Sequence, residues 1–248
     1  MGLAKGFVDV NRWLSQCVLK RFHHLASGGD YKGAVLKELK DFIAKKRRCR
    51  VLEAGGIDRP LLKNSPDITY TGLDIEYRER CREIYDNFII QSIEDRLPGK
   101  YDLICSFTLL EHVRDNTRAI GTIYDALEPG GMMVHYVPSG LHPYSLLIRL
   151  VGPKLSLALL RRLHPDVIGQ SGYPAYFDQC TVGAMDRLCR MTGFTDVRFS
   201  CYYRANFYFE VFFPAFLAVT LWEEFCRLLG LKMFCSGFVI TGKKGAKE

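Results

Sequence analysis

The chain has 248 residues, 48% of them apolar and 25% charged, so it is long enough to bury a full core and fits one α/β domain with additions better than two independent domains. The formal charge of +7 is spread along the chain, with basic clusters at Lys45-Lys46-Arg47-Arg48 and Lys243-Lys244; these read as a solvated run and a tail, or as a face toward anionic lipid or a phosphorylated substrate, while no motif for nucleic acid accompanies them. Nine cysteines without a C-x-x-C pair argue for free thiols in a reducing, cytoplasmic setting and against disulfides or structural zinc.

In chain order, Met1 to Gly6 lacks the hydroxyl residue of a myristoylation signal and is read as no lipid anchor by that rule. Phe7, Val10, Trp13 or Leu14, Cys17, Val18 and Phe22 recur at three- and four-residue steps, which predicts an amphipathic helix. Its apolar stripe is expected to pack on a sheet or cover a ligand, with an interfacial membrane helix as the alternative. Ser27-Gly28-Gly29-Asp30 breaks the chain, and a second helical pattern runs from Tyr31 to Lys46. Residues 1–48 thus read as a helical extension and 49–248 as the main domain. From Arg50 onward, apolar runs at Val51-Leu52, Tyr70 to Ile75, Phe88 to Ile90, Tyr101 to Ser106 and Met132 to Val137 alternate with helix-like stretches. That alternation predicts βαβ units and a parallel sheet. Val197 to Tyr203 and Phe238 to Thr241 supply two later strands.

Two signals in the first half point to a nucleotide-like cofactor. Val51-Leu52-Glu53-Ala54-Gly55-Gly56 is a buried strand that breaks at two glycines, where backbone can pass close to a ligand. Asp74 ends the second strand, where a carboxylate can accept hydrogen bonds from both hydroxyls of a ribose; otherwise it caps a helix. A third segment reads Tyr101-Asp102-Leu103-Ile104 and then Leu110-Glu111-His112-Val113. A fourth, Leu127-Glu128-Pro129-Gly130-Gly131, reads as a turn before the fifth strand that needs positive φ.

These five pieces, in this order from about Arg48 to Lys244, resemble the class I S-adenosylmethionine-dependent methyltransferases, most closely the branch with ubiquinone-type and cell-surface-glycan enzymes. The resemblance implies a Rossmann-like seven-stranded α/β sheet with helices on both faces and a C-terminal antiparallel hairpin. It implies S-adenosyl-L-methionine as cofactor, with Glu53, Gly55 and Gly56 at the methionyl portion and Asp74 on the ribose. Ile75 would lie against adenine, Ser92 and Ile93 beside the adenine amine, and Ser106 and Phe107 beside the sulfonium or the methionyl chain. Glu53 either orders the glycine turn or receives the ammonium through water. The family's usual second glycine is Ile57 here, so the loop Gly56-Ile57-Asp58-Arg59-Pro60 reads as shortened.

Methyl transfer to oxygen needs a base, and His112 after the fourth strand is the first candidate, with His142 after the fifth as the second. Relatives with a metal carry a glutamate where Thr108 stands, so no metal is expected. His135 reads as buried structure. The insertions at about Ser139 to Cys180 and Arg204 to Cys235 are where acceptor identity is expected to lie, with Tyr173 to Phe177, Tyr202-Tyr203 and Tyr208 as candidate lining. The apolar run Val211 to Trp222 is too short to span a bilayer; it reads as core or lid, or as membrane contact or a greasy substrate groove. The expected function is methylation, on oxygen, of a small lipid-like, quinone-like or glycan acceptor, with contact to a membrane surface as an option. The alternative is a non-catalytic methyltransferase-fold module that binds a partner or a membrane. Oligomeric state is not legible.

Overall fold

The computed structural model describes residues 2–26, 29–57, 59–152, 155–156, 158 and 173–246. Asp58 and part of the insertion expected at about Ser139 to Cys180 lie outside them. The strands are β1 (Cys49–Ala54), β2 (Ile68–Asp74), β3 (Asn87–Ile90), β4 (Tyr101–Phe107), β5 (Leu127–Pro138), β6 (Phe194–Tyr202) and β7 (Gly237–Lys244), in the sheet order β3-β2-β1-β4-β5-β7-β6. The first five pair in parallel, and β7 and β6 form the antiparallel hairpin at the far side. Because β1 and β4 are central and covered on both faces, they read as nearly unbroken apolar runs, and only Arg50 of β1 is exposed.

By packing, the chain divides into two compact units. One holds Tyr31–Pro138, Tyr176–Ser200 and Phe238–Glu248, and is called the sheet unit below; the other holds Met1–Asp30, Ser139–Ala175 and Cys201–Gly237, and is called the insertion unit. The first predicted helix, α1 (Gly2–Arg21), belongs to the insertion unit, whereas the second, α3 (Tyr31–Ile43), belongs to the sheet unit and packs on β5. A short helix, α2 (His23–Ala26), lies between them in sequence. The predicted N-terminal extension is therefore shared between the two units.

Around the sheet lie a short α4 (Cys81–Ile84), α5 (Asn116–Ala126) and α7 (Val182–Thr192). Asp115 caps α5 by accepting from the Arg118 amide at 2.9 Å, and Thr181 caps α7 by accepting from Ala184. Gly193 at φ 108° closes α7 in the left-handed conformation that glycine tolerates. Pro129-Gly130-Gly131 behaves differently from the turn expected before the strand: it lies inside β5, as a bulge. Tyr101 faces Leu127 but Leu103 faces Met132, so the extra residues of β5 loop out there, with Gly130 at φ 75°.

The insertion unit contains α1, α6 (Pro143–Val151) and α8 (Phe213–Leu228), with single 3₁₀ turns at Asn206–Phe209 and Lys232–Phe234. Tyr144 of α6 stacks on Tyr208 with ring centroids 3.7 Å apart, and Phe7 of α1 stacks on Phe212 at 6.4 Å. Asn11 Oδ1 of α1 accepts from the Phe213 amide at the start of α8 at 2.8 Å. That amide is one of those a helix leaves unsatisfied, so a side chain 202 residues away in sequence caps α8.

Candidate cofactor and acceptor site

Parallel neighbours end on the same edge of a sheet, and the register places those ends level. Ala54 pairs with Leu73 and with Ser106, so the residues that follow β1, β2 and β4 emerge side by side. That edge is where open α/β sheets bind ligands.

Gly55 sits at φ 81°, and a Cβ there would meet Leu109 Cδ1 at 3.1 Å. A Cβ on Gly56 would run into the Tyr85 hydroxyl and lie 2.5 Å from Glu53 Oε1. Both positions therefore require glycine, Gly55 for its backbone and Gly56 for space. Glu53 is buried, and its carboxylate accepts from the Leu61 amide at 3.0 and 3.1 Å and from the Tyr70 hydroxyl. It closes the loop on itself, which is the first of the two roles expected for it. Burial pushes its pKa up to about 7, against the pull of Tyr70 and Leu61. Ile57 and Thr108, one after β1 and one after β4, both hold positive φ, at 42° and 54°.

Asp74 is half-buried at the end of β2, and its Oδ1 accepts from the Glu76 amide at 3.0 Å. Desolvation raises its pKa. Ile75 beside it is 59% exposed and Ile90, ending the adjacent β3, is 61% exposed, so the acid is flanked by uncovered aliphatic surface. Such surface suits a flat ring beside a diol acceptor. Ser92 is half-buried, and its hydroxyl accepts from the Glu94 amide at 3.1 Å; Ile93 turns its side chain into the core, which leaves its backbone for contact.

The hydroxyl of Ser106 does not face the edge. It lies 2.7 Å from His135 Nδ1, and both residues are buried. Burial lowers the His135 pKa to about 3, so the ring stays neutral and structural, as the alternation of β5 suggested. Phe107, by contrast, is half-buried in an aromatic stack: Tyr136 at 5.0 Å and Tyr31 at 5.9 Å, with Tyr31 and Tyr136 themselves 4.5 Å apart. Sequence reading missed Tyr31 and Tyr136. The available signal was that Phe107 and Tyr136 end neighbouring strands, where the register pairs them directly.

His112 ends a 3₁₀ turn, Leu110–His112, directly beyond β4. Its Nε2 lies 3.8 Å from Glu111 Oε1, and its side chain is partly exposed. Glu111 is buried, and burial pushes its pKa up to about 8; its Oε2 has no hydrogen-bond partner among the described residues. The backbone carbonyl of Glu111 accepts from Tyr176 and Phe177, fixing the turn to that aromatic segment. Among the described residues no group of three or more side chains is arranged for a metal ion.

His142 is placed otherwise. It caps α6, its Nδ1 accepting from the Tyr144 amide at 3.3 Å, while Nε2 lies 3.1 Å from Glu223 Oε1. With Nδ1 accepting, the proton sits on Nε2 and is donated to Glu223; the ring is 1% exposed and both nitrogens are engaged. This histidine is a structural member of the insertion unit, and the base role expected for it as second candidate has no free nitrogen behind it.

The glycine cradle, the acid between two exposed aliphatics and the histidine turn together fit a nucleoside-bearing cofactor. A family model described as a methyltransferase domain matches residues 23–169, more than half of the chain. The chain belongs to the class I S-adenosylmethionine-dependent methyltransferase family. This chain is 25% identical over 118 residues to a ubiquinone biosynthesis O-methyltransferase of Pseudomonas entomophila, covering 48% of this chain and 44% of that protein. A protein of the same name from Pseudomonas savastanoi is 29% identical over 92 residues, covering 37% and 36%. The chain thus spans less than half the length of these curated relatives. Its fold is similar to phosphoethanolamine N-methyltransferase 2 of Haemonchus contortus in complex with S-adenosyl-L-methionine, 13% identical with a TM-score of 0.52 over 86% of this chain and 52% of that one. It is also similar to a methyltransferase from Archaeoglobus fulgidus, 16% identical with a TM-score of 0.50 over 86% and 94%.

Proposed function

We propose that the chain transfers a methyl group from S-adenosyl-L-methionine to a hydroxyl of a small acceptor of the lipid-like, quinone-like or glycan kind, with contact to a membrane surface as part of the same reading. The observation that carries the proposal is the level register at the ends of β1, β2 and β4, which brings the Gly55-Gly56 turn, Asp74 and the Leu110–His112 turn to one edge.

In this reading the backbone of Gly55 and Gly56 passes along the methionyl portion, and Glu53 acts by holding their loop. Asp74 accepts from the ribose hydroxyls, Ile75 lies on the adenine, and Ser92 and the Ile93 backbone meet the adenine edge. Ser106 contributes its backbone position, while Phe107, backed by Tyr31 and Tyr136, offers an aromatic face to positive charge. When bound, the cofactor supplies a methyl group already made electrophilic by sulfonium. The protein's share is orientation and exclusion of water, plus removal of the acceptor's proton. His112 takes that proton. Glu111, largely neutral near pH 7 with a pKa of about 8, sits behind it without competing as an anion.

Calorimetric titration with S-adenosylmethionine and S-adenosylhomocysteine tests the first half. Micromolar binding by the parent is expected to weaken roughly 10- to 100-fold in Asp74→Ala, as for loss of one or two hydrogen bonds to a charged group. Equal binding by parent and variant would remove Asp74 from the site. Turnover tests the second half: His112→Ala is expected to lower kcat by about 10²- to 10⁴-fold with cofactor affinity unchanged. Absence of binding by both ligands would favour a non-catalytic binding module.

A further inference from the structure

In the insertion unit the usual relation between polarity and burial is reversed. Of the 21 large apolar side chains exposed among the described residues, 17 belong to this unit. On α1 the buried positions include Asn11 and Ser15, while Phe7, Val10 and Trp13 stand outward, Trp13 at 65% exposure. On α8 the buried face contains Thr220 and Glu223, while Leu217, Leu221, Phe225 and Leu228 form an outward stripe at steps of four, four and three. On α6, Ser145 is buried while Leu146, Leu147 and Leu150 are exposed.

The inward polar groups are used. Asn11 caps α8, the Ser15 hydroxyl donates to the Asn11 carbonyl at 2.9 Å, and Asn206 Nδ2 donates to Thr220 Oγ1 at 3.0 Å. Glu223 accepts from His142 and from the Ala205 amide. These contacts fix which side of each helix is inside, so the outward stripes are a consequence of the packing and cannot be relieved by rolling a helix. The stacking of Phe7 on Phe212 joins the outer faces of α1 and the start of α8 into one surface.

We propose that this surface docks the protein onto an anionic lipid bilayer, lying in the interface and not crossing it. Three observations select a lipid surface. No helix among the described residues is long and apolar enough to cross a membrane, which leaves the interfacial mode for an apolar stripe of this size. Aromatic rings at the outer face, Trp13, Phe7, Phe212 and Phe225, are the side chains that settle at the headgroup level. The exposed charges on the same helices and turns are chiefly basic: Lys5, Lys20 and Arg21 on α1, Arg149 on α6, Arg227 on α8 and Lys232 after it, against the exposed acid Asp9 on α1. A two-fold contact with a second copy would set those basic rims against one another, whereas anionic headgroups complement them. The docking rests on the membrane contact in the proposed function, while its readout, vesicle binding without cofactor or turnover, lets the two fail separately.

Co-sedimentation of the full chain with phosphatidylcholine vesicles, with and without phosphatidylglycerol, tests the proposal. Binding is expected with the anionic vesicles, weakening as salt is raised, and weak or no binding with phosphatidylcholine alone. Lys20→Glu with Arg21→Glu is expected to reduce partitioning by at least about fivefold per site. Trp13→Glu with Leu221→Glu is expected to abolish it while leaving circular dichroism and S-adenosylhomocysteine binding as in the parent. In a Trp222→Phe background Trp13 is the sole tryptophan, and its emission is expected to shift to the blue on adding anionic vesicles. The proposal is overturned if the parent stays in the supernatant with anionic vesicles, or if Trp13→Glu with Leu221→Glu pellets as the parent does. It is equally overturned if analytical ultracentrifugation shows a dimer that the double variant dissolves, with no vesicle binding by the parent; the surface then belongs to a second copy.

Discussion

The two units of this chain solve the problem of burial in opposite ways. Of the 44 buried apolar residues among the described ones, the insertion unit holds only Ala205, Phe216, Val219, Cys226 and Cys235; the rest are in the sheet unit. The sheet unit is stabilised by excluding water from aliphatic strands such as Val51-Leu52 and Leu103-Ile104-Cys105, all 0% exposed. The insertion unit is stitched by polar contacts instead. Arg204 ion-pairs with Glu224 and lies 3.9 Å from Glu223, and Glu223 also holds His142 and the Ala205 amide. Hydrogen bonding from Arg227, with Arg204, holds the Glu224 pKa down to about 2. A unit held this way can leave most of its large apolar side chains facing outward, because polar contacts share the joining of its helices with a few apolar ones such as Phe216 and the Phe7–Phe212 stack.

Substitutions can break or sharpen this contrast. The largest effect is expected in the polar network: Glu223→Ala leaves the buried His142 ring and the Ala205 amide without their acceptor and removes one of the two carboxylates beside Arg204, and should cost about 3–5 kcal/mol of stability, read by urea unfolding. Leu103→Ala in the centre of the sheet should cost about 2–5 kcal/mol by the loss of buried area and the cavity left. The same change at Leu221, 61% exposed on α8, should stay within about 0.5 kcal/mol. A cost at Leu221 equal to that at Leu103 would show that the outer stripe is covered within the protein in solution and would end the contrast.

A smaller effect concerns pH. Burial raises Glu53 to about 7 and Glu111 to about 8, above the ordinary 4.5 of an exposed glutamate. Between those values the folded chain binds more protons than the unfolded one, so stability falls as pH rises from about 4.5 to 8 and levels off above. Glu111→Gln keeps the neutral form at every pH. It should leave stability at pH 5 nearly unchanged and raise it at pH 8 by about 1–3 kcal/mol, compared by urea unfolding at the two pH values. A slope as steep in the variant as in the parent would place the titration elsewhere.

Much of the site was legible because it is written in short segments. Gly55, Gly56 and Asp74 each follow an apolar run, and a parallel sheet brings the ends of such runs to one edge whatever the loops between them do. The partner of the Ser106 hydroxyl was not legible, because alternation along β4 cannot say which neighbour a buried hydroxyl meets, and His135 lies one strand away. His142 stood in sequence as the second candidate base; its partner Glu223 is 81 residues distant and could not be read there. Tyr31 was missed because it lies before β1, in a helix read as part of an extension.

The sequence by itself determined that the first five strands form a parallel sheet, and it picked out the glycine turn and the acid that ends β2, since these depend on periodicity and backbone freedom within a few residues. It also determined that α1 has two unlike faces. Only the tertiary structure decided which face turns outward. Periodicity distinguishes the faces but not their destinations, and the decision rests on Asn11 capping α8 across 202 residues of sequence and on Thr220 and Glu223 finding buried partners there.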